Sequence, residues 1–168
     1  MRAKSLDDIL KKGDRIAVSN ITGREASKVS VLSQRYCGNI VAGWALGKAG
    51  QTIQVPGADP IPVFGQFEDL MAAFKDGKKP NKIIVYSPPE AVYGDVKEVL
   101  EHGTGSIETI FVITEHVSVE VTAKLRALAL EADVDIIGCN TLGAINAHAH
   151  VRAGAVGGDA PDETFKAG

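Results

Sequence analysis

The sequence predicts an α/β protein, a mainly parallel sheet flanked by helices. Short runs rich in Ile and Val alternate with longer stretches of helical periodicity, the pattern of repeated βαβ units. The short runs are apolar at successive positions rather than at alternate ones, as strands covered on both faces must be. Each passes into a turn of Gly, Pro or polar residues, where the chain can turn back across the sheet.

Strands are expected at residues 15–19 (RIAVS), 39–43 (NIVAG), 82–87 (KIIVYS), 109–113 (TIFVI) and 135–138 (DIIG). Between them, residues 26–36, 66–75, 91–101 and 118–132 carry apolar side chains at intervals of three and four, as helices covering such a sheet should. Phe67, Leu70, Met71 and Phe74 show this spacing most clearly and are read as core. From residue 153 onward the composition shifts to Gly, Asp and Pro without periodicity. Residues 1–152 are therefore read as one domain and 153–168 as a linker.

Composition bounds the function. A chain of 168 residues, 45% apolar, is the size of a single domain with a substantial core. A formal net charge of −3 with both signs mixed along the chain gives no broad cationic surface for a nucleic acid backbone. No apolar run approaches a membrane span, and the start, MRAKSLDDILKKGD, is charged where a signal peptide would be apolar. Cys37 and Cys139 lie far apart without metal-ligand spacing, so neither a disulfide framework nor a zinc site is expected. A soluble protein of the reducing cytoplasm, with no nucleic acid and no membrane as partner, is the expectation.

In parallel α/β sheets ligands bind outside the carboxyl ends of the strands, so the turn after each run is the place to look. The first turn, through Thr22, Gly23, Arg24 and Glu25, leads into a helix whose free N–H groups suit a phosphate, although one glycine is also what an ordinary strand-to-helix turn needs. Lys48, in the small-residue loop WALGKAG, is either a phosphate contact or a solvated loop lysine. Ser87, Pro88 and Pro89 form a stiff wall suited to a flat ring or an extended arm. Ile113, Thr114, Glu115 and His116 end the fourth strand, and Cys139 to Gly143, with Asn140, end the fifth.

These turns, in this order, resemble those of the succinyl-CoA synthetase alpha subunit and of ATP-citrate lyase, both acid–CoA ligase relatives, over nearly the whole chain. Thr22-Gly23-Arg24-Glu25-Ala26 is similar to that family's TGxxG loop, and residues 40–50 (IVAGWALGKAG) to its glycine-rich stretch, with Lys48 at the lysine. Ile113-Thr114-Glu115 matches its ITE motif, and residues 137–143 (IGCNTLG) resemble its Ile-Gly-Pro-Asn-Cys-Pro-Gly turn. Ile61-Pro62-Val63-Phe64, before an amphipathic helix, is similar to the citrate lyase branch.

The resemblance implies a Rossmann-like domain that binds coenzyme A, with Thr22, Gly23, Arg24, Glu25 and Lys48 near the phosphates. Ser87, Pro88, Ile113, Thr114, Glu115 and Asn140 would lie along the rest of the cofactor. In such enzymes ATP, a carboxylic acid and CoA give an acyl-CoA through a phosphohistidine and an acyl phosphate. The histidine belongs to a second domain, so the resemblance implies no catalytic residue here, and brings ATP and Mg only through that domain or an ATP-grasp subunit. Residues 163–168 resemble the approach to that domain, as in a fragment or a natural stand-alone module.

Ala26 replaces the last glycine of TGxxG, His116 and Ser118 replace a glycine and a proline after ITE, and Cys139 and Leu142 replace two prolines. These departures bear on the acid, which stays undecided.

Other residues have plainer readings. His116 is a nucleophile or acid–base group, or a solvated helix-start residue; the second is better supported. His148 and His150, two apart, would share one face of a strand but make only two metal ligands. His102 suits a helix C-terminus. Cys139 is a reactive thiol or a small packed residue, and Glu115 a ligand contact or a helix cap. Two rival functions remain at this level: a stand-alone CoA- or nucleotide-sensing module, and an NAD-binding oxidoreductase domain. The second lacks a GxG before Gly23 and an acid ending the second strand.

Overall fold

The computed structural model describes residues 5–160 and 162–165. After a single helical turn, α1 (Leu6–Ile9), the chain forms β1 (Ile16–Ser19), α2 (Arg24–Cys37), β2 (Ile40–Trp44), β3 (Thr52–Ile53), β4 (Ile61–Phe64) and α3 (Phe67–Ala73). It continues through β5 (Lys82–Val85), α4 (Val92–His102), β6 (Thr109–Val112), α5 (Val119–Glu131) and β7 (Asp135–Ile137), then a hairpin of β8 (Gly143–Asn146) and β9 (Val151–Gly154).

Seven strands form one sheet in the order β3-β4-β2-β1-β5-β6-β7, parallel throughout except for β3. The chain therefore starts near the middle, builds toward one edge and returns to build toward the other. The reversal falls between β1 and β5, and a crevice at such a switch point is where α/β folds hold ligands.

Alternation within the strands explains the two layers. Ile16 and Val18 join a core with Ala26 of α2 and with Val151 and Ala153 of β9, while Ala17 between them joins Phe67, Leu70, Val96 and Leu125 beneath α3, α4 and α5. All four residues of β1, β5 and β6 are buried, as continuous apolar runs foretell. β7, at the sheet's edge, is half-buried throughout.

Lys82, a charged residue opening an apolar strand, is 0% exposed. Its Nζ bonds Glu108 at 2.9 Å and the Thr109 hydroxyl at 3.1 Å and lies 3.9 Å from the buried Asp14 carboxylate. A buried ammonium is tolerable only with such partners, and the cluster pins the strands at the end away from the turns.

The structure departs from the expected elements in several places. Residues 61–64 form a strand, β4, sealed at the edge by β3. Residues 143–154, which carry no helical or strand signal in sequence, form the hairpin, which packs against α2 through its second strand. Its strand β9 runs across the 152/153 boundary, and the following residues return to α2: Asp159 pairs with Lys28 at 2.8 Å, and the Tyr36 hydroxyl donates to the Phe165 carbonyl at 2.8 Å. Residue 161 and residues 166–168 of the expected linker lie outside the described residues.

Candidate functional site

The turns after the parallel strands come out on one rim because every strand of the seven-stranded sheet except β3 points the same way. The turn after β1 is held close to β2. The Ile21 N–H donates to the Trp44 carbonyl at 3.3 Å, and a Cβ placed on Gly43 would lie 2.5 Å from Ile21 Cδ1 and Cγ2. Gly43 thus makes room for a fully buried Ile21, and through it sets where residues 22–25 enter α2.

Side-chain hydroxyls knit the ends of β1, β5 and β6. The Tyr86 N–H donates to Ser19 Oγ at 3.0 Å, Ser19 and Ser87 hydroxyls meet at 3.0 Å, and Ser87 Oγ donates to the Asp95 carboxylate of α4. Thr114 Oγ1 donates to the Ser87 carbonyl at 2.6 Å, and the Asn140 N–H to the Thr114 carbonyl at 3.0 Å. Gly138, at φ 114°, passes so close to the Val112 carbonyl that no Cβ fits.

Between these ends lies a cavity of about 390 Å³, bounded by Glu25 and by the turns after β5, β6 and β7. It brings together Glu25, Ser87, Pro88, Ile113, Thr114, Glu115 and Asn140 of the expected site, and adds Tyr86, Pro89, His116, Thr141 and Leu142. Thr22, Gly23, Arg24 and Lys48 do not line it. Thr22 and Gly23 sit on the adjoining turn and Arg24 opens α2, and Lys48 is exposed on the loop after β2, with β1 standing between that strand and β5.

The cavity's charge is negative: Glu25 and Glu115 line it, and neither lysine nor arginine does. Burial, and after it the Glu25 carboxylate, push the Tyr86 phenol above its usual range, while Arg152 opposes them. Burial also raises the Asp95 carboxyl, against the Ser87 hydrogen bond.

His116 adopts φ 59°, the left-handed conformation that glycine takes freely. Its ring is solvent-exposed, 3.8 Å from Glu115 Oε2.

A larger cavity, about 530 Å³, lies between α5 and β7, with Leu125, Ala129, Ile136 and Cys139 among its walls. It opens along an edge strand rather than at the strand ends, and the converging polar turns belong to the smaller one.

The remaining candidates fall apart on geometry. His148 and His150 lie in the turn of the hairpin rather than in a strand, and the His150 ring packs on Tyr36 with centroids 4.2 Å apart. Among the described residues no three His, Cys, Asp or Glu side chains are grouped to hold a metal. Cys139 is half-buried and accepts a hydrogen bond from Thr122 Oγ1 at 3.6 Å. Sequence reasoning passed over Arg152, which is 1% exposed, bonded to the Gly158 carbonyl at 3.0 Å and laid over the Phe165 ring. Asp95 was passed over too, since one acid in an amphipathic helix looks like any solvated face.

No protein-family model matches the sequence, and no curated protein matches it. Solved structures do. ATP citrate lyase from Methanothrix soehngenii, in complex with citrate and coenzyme A, matches with a TM-score of 0.70 at 17% identity, over 86% of this chain and 23% of that one. The dinucleotide-forming acetyl-coenzyme A synthetase 1 of Ca. Korarchaeum cryptofilum, in complex with phosphate and ADP, matches at 0.64 and 16% identity, over 85% and 29%. The WlbA dehydrogenase of Thermus thermophilus, in complex with NAD and alpha-ketoglutarate, matches at 0.51 and 17% identity, over 73% and 40%. The chain thus spans less than half the length of each. At such identities the likeness is one of architecture: this is a mostly parallel, helix-flanked, Rossmann-like α/β domain.

Proposed function

We propose that this chain is the coenzyme A binding part of an ATP-dependent, ADP-forming acid–CoA ligase or ATP-citrate lyase type of assembly. The observation that carries the reading is the convergence of the turns after β1, β5, β6 and β7 on one rim around a concave site. The cavity suits the pantetheine arm: Ser87, Thr114 and Asn140 offer hydrogen bonds, and Pro88, Pro89, Ile113 and Leu142 offer an apolar wall. Its acidic lining suits phosphates poorly, so these would lie outside it, over the start of α2 and toward Arg24 and Lys48.

On this reading the binding domain, expected at residues 1–152, includes the whole of β9 as well, and acts in the cytoplasm. The carboxylic acid, ATP, Mg and the phosphohistidine would be supplied by a second domain and an ATP-grasp subunit. The chain alone would bind without turnover.

Calorimetric titration of CoA into the chain and into Lys48→Ala tests this. Saturable binding, weakened in the variant, is expected. No binding of CoA, or binding of NADH in its place, would overturn the reading, and equal affinity in both proteins would remove Lys48 from the site.

A further inference from the structure

Ser87 lines the cavity while being 3% exposed, and every hydrogen-bonding position around its hydroxyl can be followed. Ser19 Oγ already accepts the Tyr86 N–H at 3.0 Å. Its own proton is free to point at Ser87 Oγ, 3.0 Å away. The Ser87 proton is committed to the Asp95 carboxylate, which in its ionised form can accept but not donate. Protons therefore run in one direction, Ser19 to Ser87 to Asp95. What Ser87 has left for a ligand is a lone pair.

We infer that Asp95 is a positioning residue for the ligand site, fixing the Ser87 hydroxyl as an acceptor and so selecting a ligand group that donates, an amide N–H or a hydroxyl. The inference rests on the proposed CoA site, whose pantetheine arm carries both kinds of donor. The neighbouring walls agree in sign, because the Glu25 and Glu115 carboxylates also only accept when ionised. Take Asp95 away and the Ser87 proton is free to turn toward the cavity, where it would face the ligand's donor with a donor of its own.

The test is a cycle of Ser87→Ala, Asp95→Ala and the double variant, each confirmed folded by circular dichroism and titrated with CoA and with adenosine 3′,5′-bisphosphate, which lacks the arm. One neutral hydrogen bond is worth about fivefold in affinity. Each single variant should weaken CoA by about that factor, and the double variant no further, because Asp95 acts through Ser87. The bisphosphate should bind all four proteins alike. Losses that add in the double variant, that fall equally on both ligands, or that do not occur would overturn the inference. The cycle stands on CoA alone, so it decides even if the truncated ligand binds weakly. A wild-type chain that ignores CoA would instead overturn the CoA reading itself.

Discussion

Gly43→Ala places one methyl group where the first turn folds onto the sheet. The new Cβ would come 2.5 Å from Ile21 Cδ1 and Cγ2 and 2.6 Å from Ile21 Cβ, so rotating the side chain's tip does not clear it. Ile21 is 0% exposed and has no open side to move into. Overpacking of a tight core costs about 1–3 kcal/mol. Contact at the root of the side chain puts this case near the middle, about 2 kcal/mol. For a chain of this size that is a fall in Tm of roughly 4–8 °C.

Chemical denaturation of Gly43→Ala, Ile21→Ala and the pair measures it. Ile21→Ala alone leaves a cavity and should cost about 2–5 kcal/mol. In the pair the added methyl has room, so the combined cost should fall at least 1 kcal/mol short of the sum. Additive costs, or a Gly43→Ala chain as stable as the parent, would refute the claim that this contact sets the turn.

Lys82→Met should destabilise the chain by about 3 kcal/mol in urea melts, the low end for a broken buried pair, because Asp14 keeps its bonds from the Lys11 N–H and Asn81. Burial alone would raise the Glu108 carboxyl, but hydrogen bonds from Lys82 and Lys11 hold it below its usual 4.5. A depressed carboxyl stabilises the fold fully above its unfolded value, and the contribution is lost as pH falls through the folded one. Stability of the parent should therefore drop on acidification below about pH 4.5, and less so in Lys82→Met; identical acid profiles would exclude this cluster as the cause. Gly138→Ala forces a Cβ onto the Val112 carbonyl at φ 114°, which should disturb Asn140 and Thr141; an unchanged Tm and unchanged CoA affinity would contradict it.

The layers were legible because burial on both faces writes itself as unbroken Ile and Val, as in residues 109–113. The switch-point rim was legible for the same reason, since strand ends can be read wherever strands can. The hairpin was not: residues 143–154 (GAINAHAHVRAG) bury Val151 and Ala153 on one side and Arg152 on the other, so no alternation survives. Lys48 was expected near the phosphates, and its separation from the turns after β5, β6 and β7 was not legible, because order along a chain does not reveal order across a sheet. β1 intervenes between β2 and β5, and only pairing shows that. In the Ser19–Ser87–Asp95 chain the Ser19–Ser87 bond alone spans 68 positions, so it has no local signature at all.

The strands that carry the rim differ in how firmly they are held. β5 and β6 are buried from end to end, whereas β7 has every residue half in water and a neighbour on one side only. Free energies of local opening follow such gradients, so amide protons of β7 should exchange with deuterium well before those of β5. The wall made by residues 139–142 then hangs from the softest strand while Ser87 and Thr114 hang from the stiffest. A guest entering the crevice would meet one fixed jaw and one that gives way.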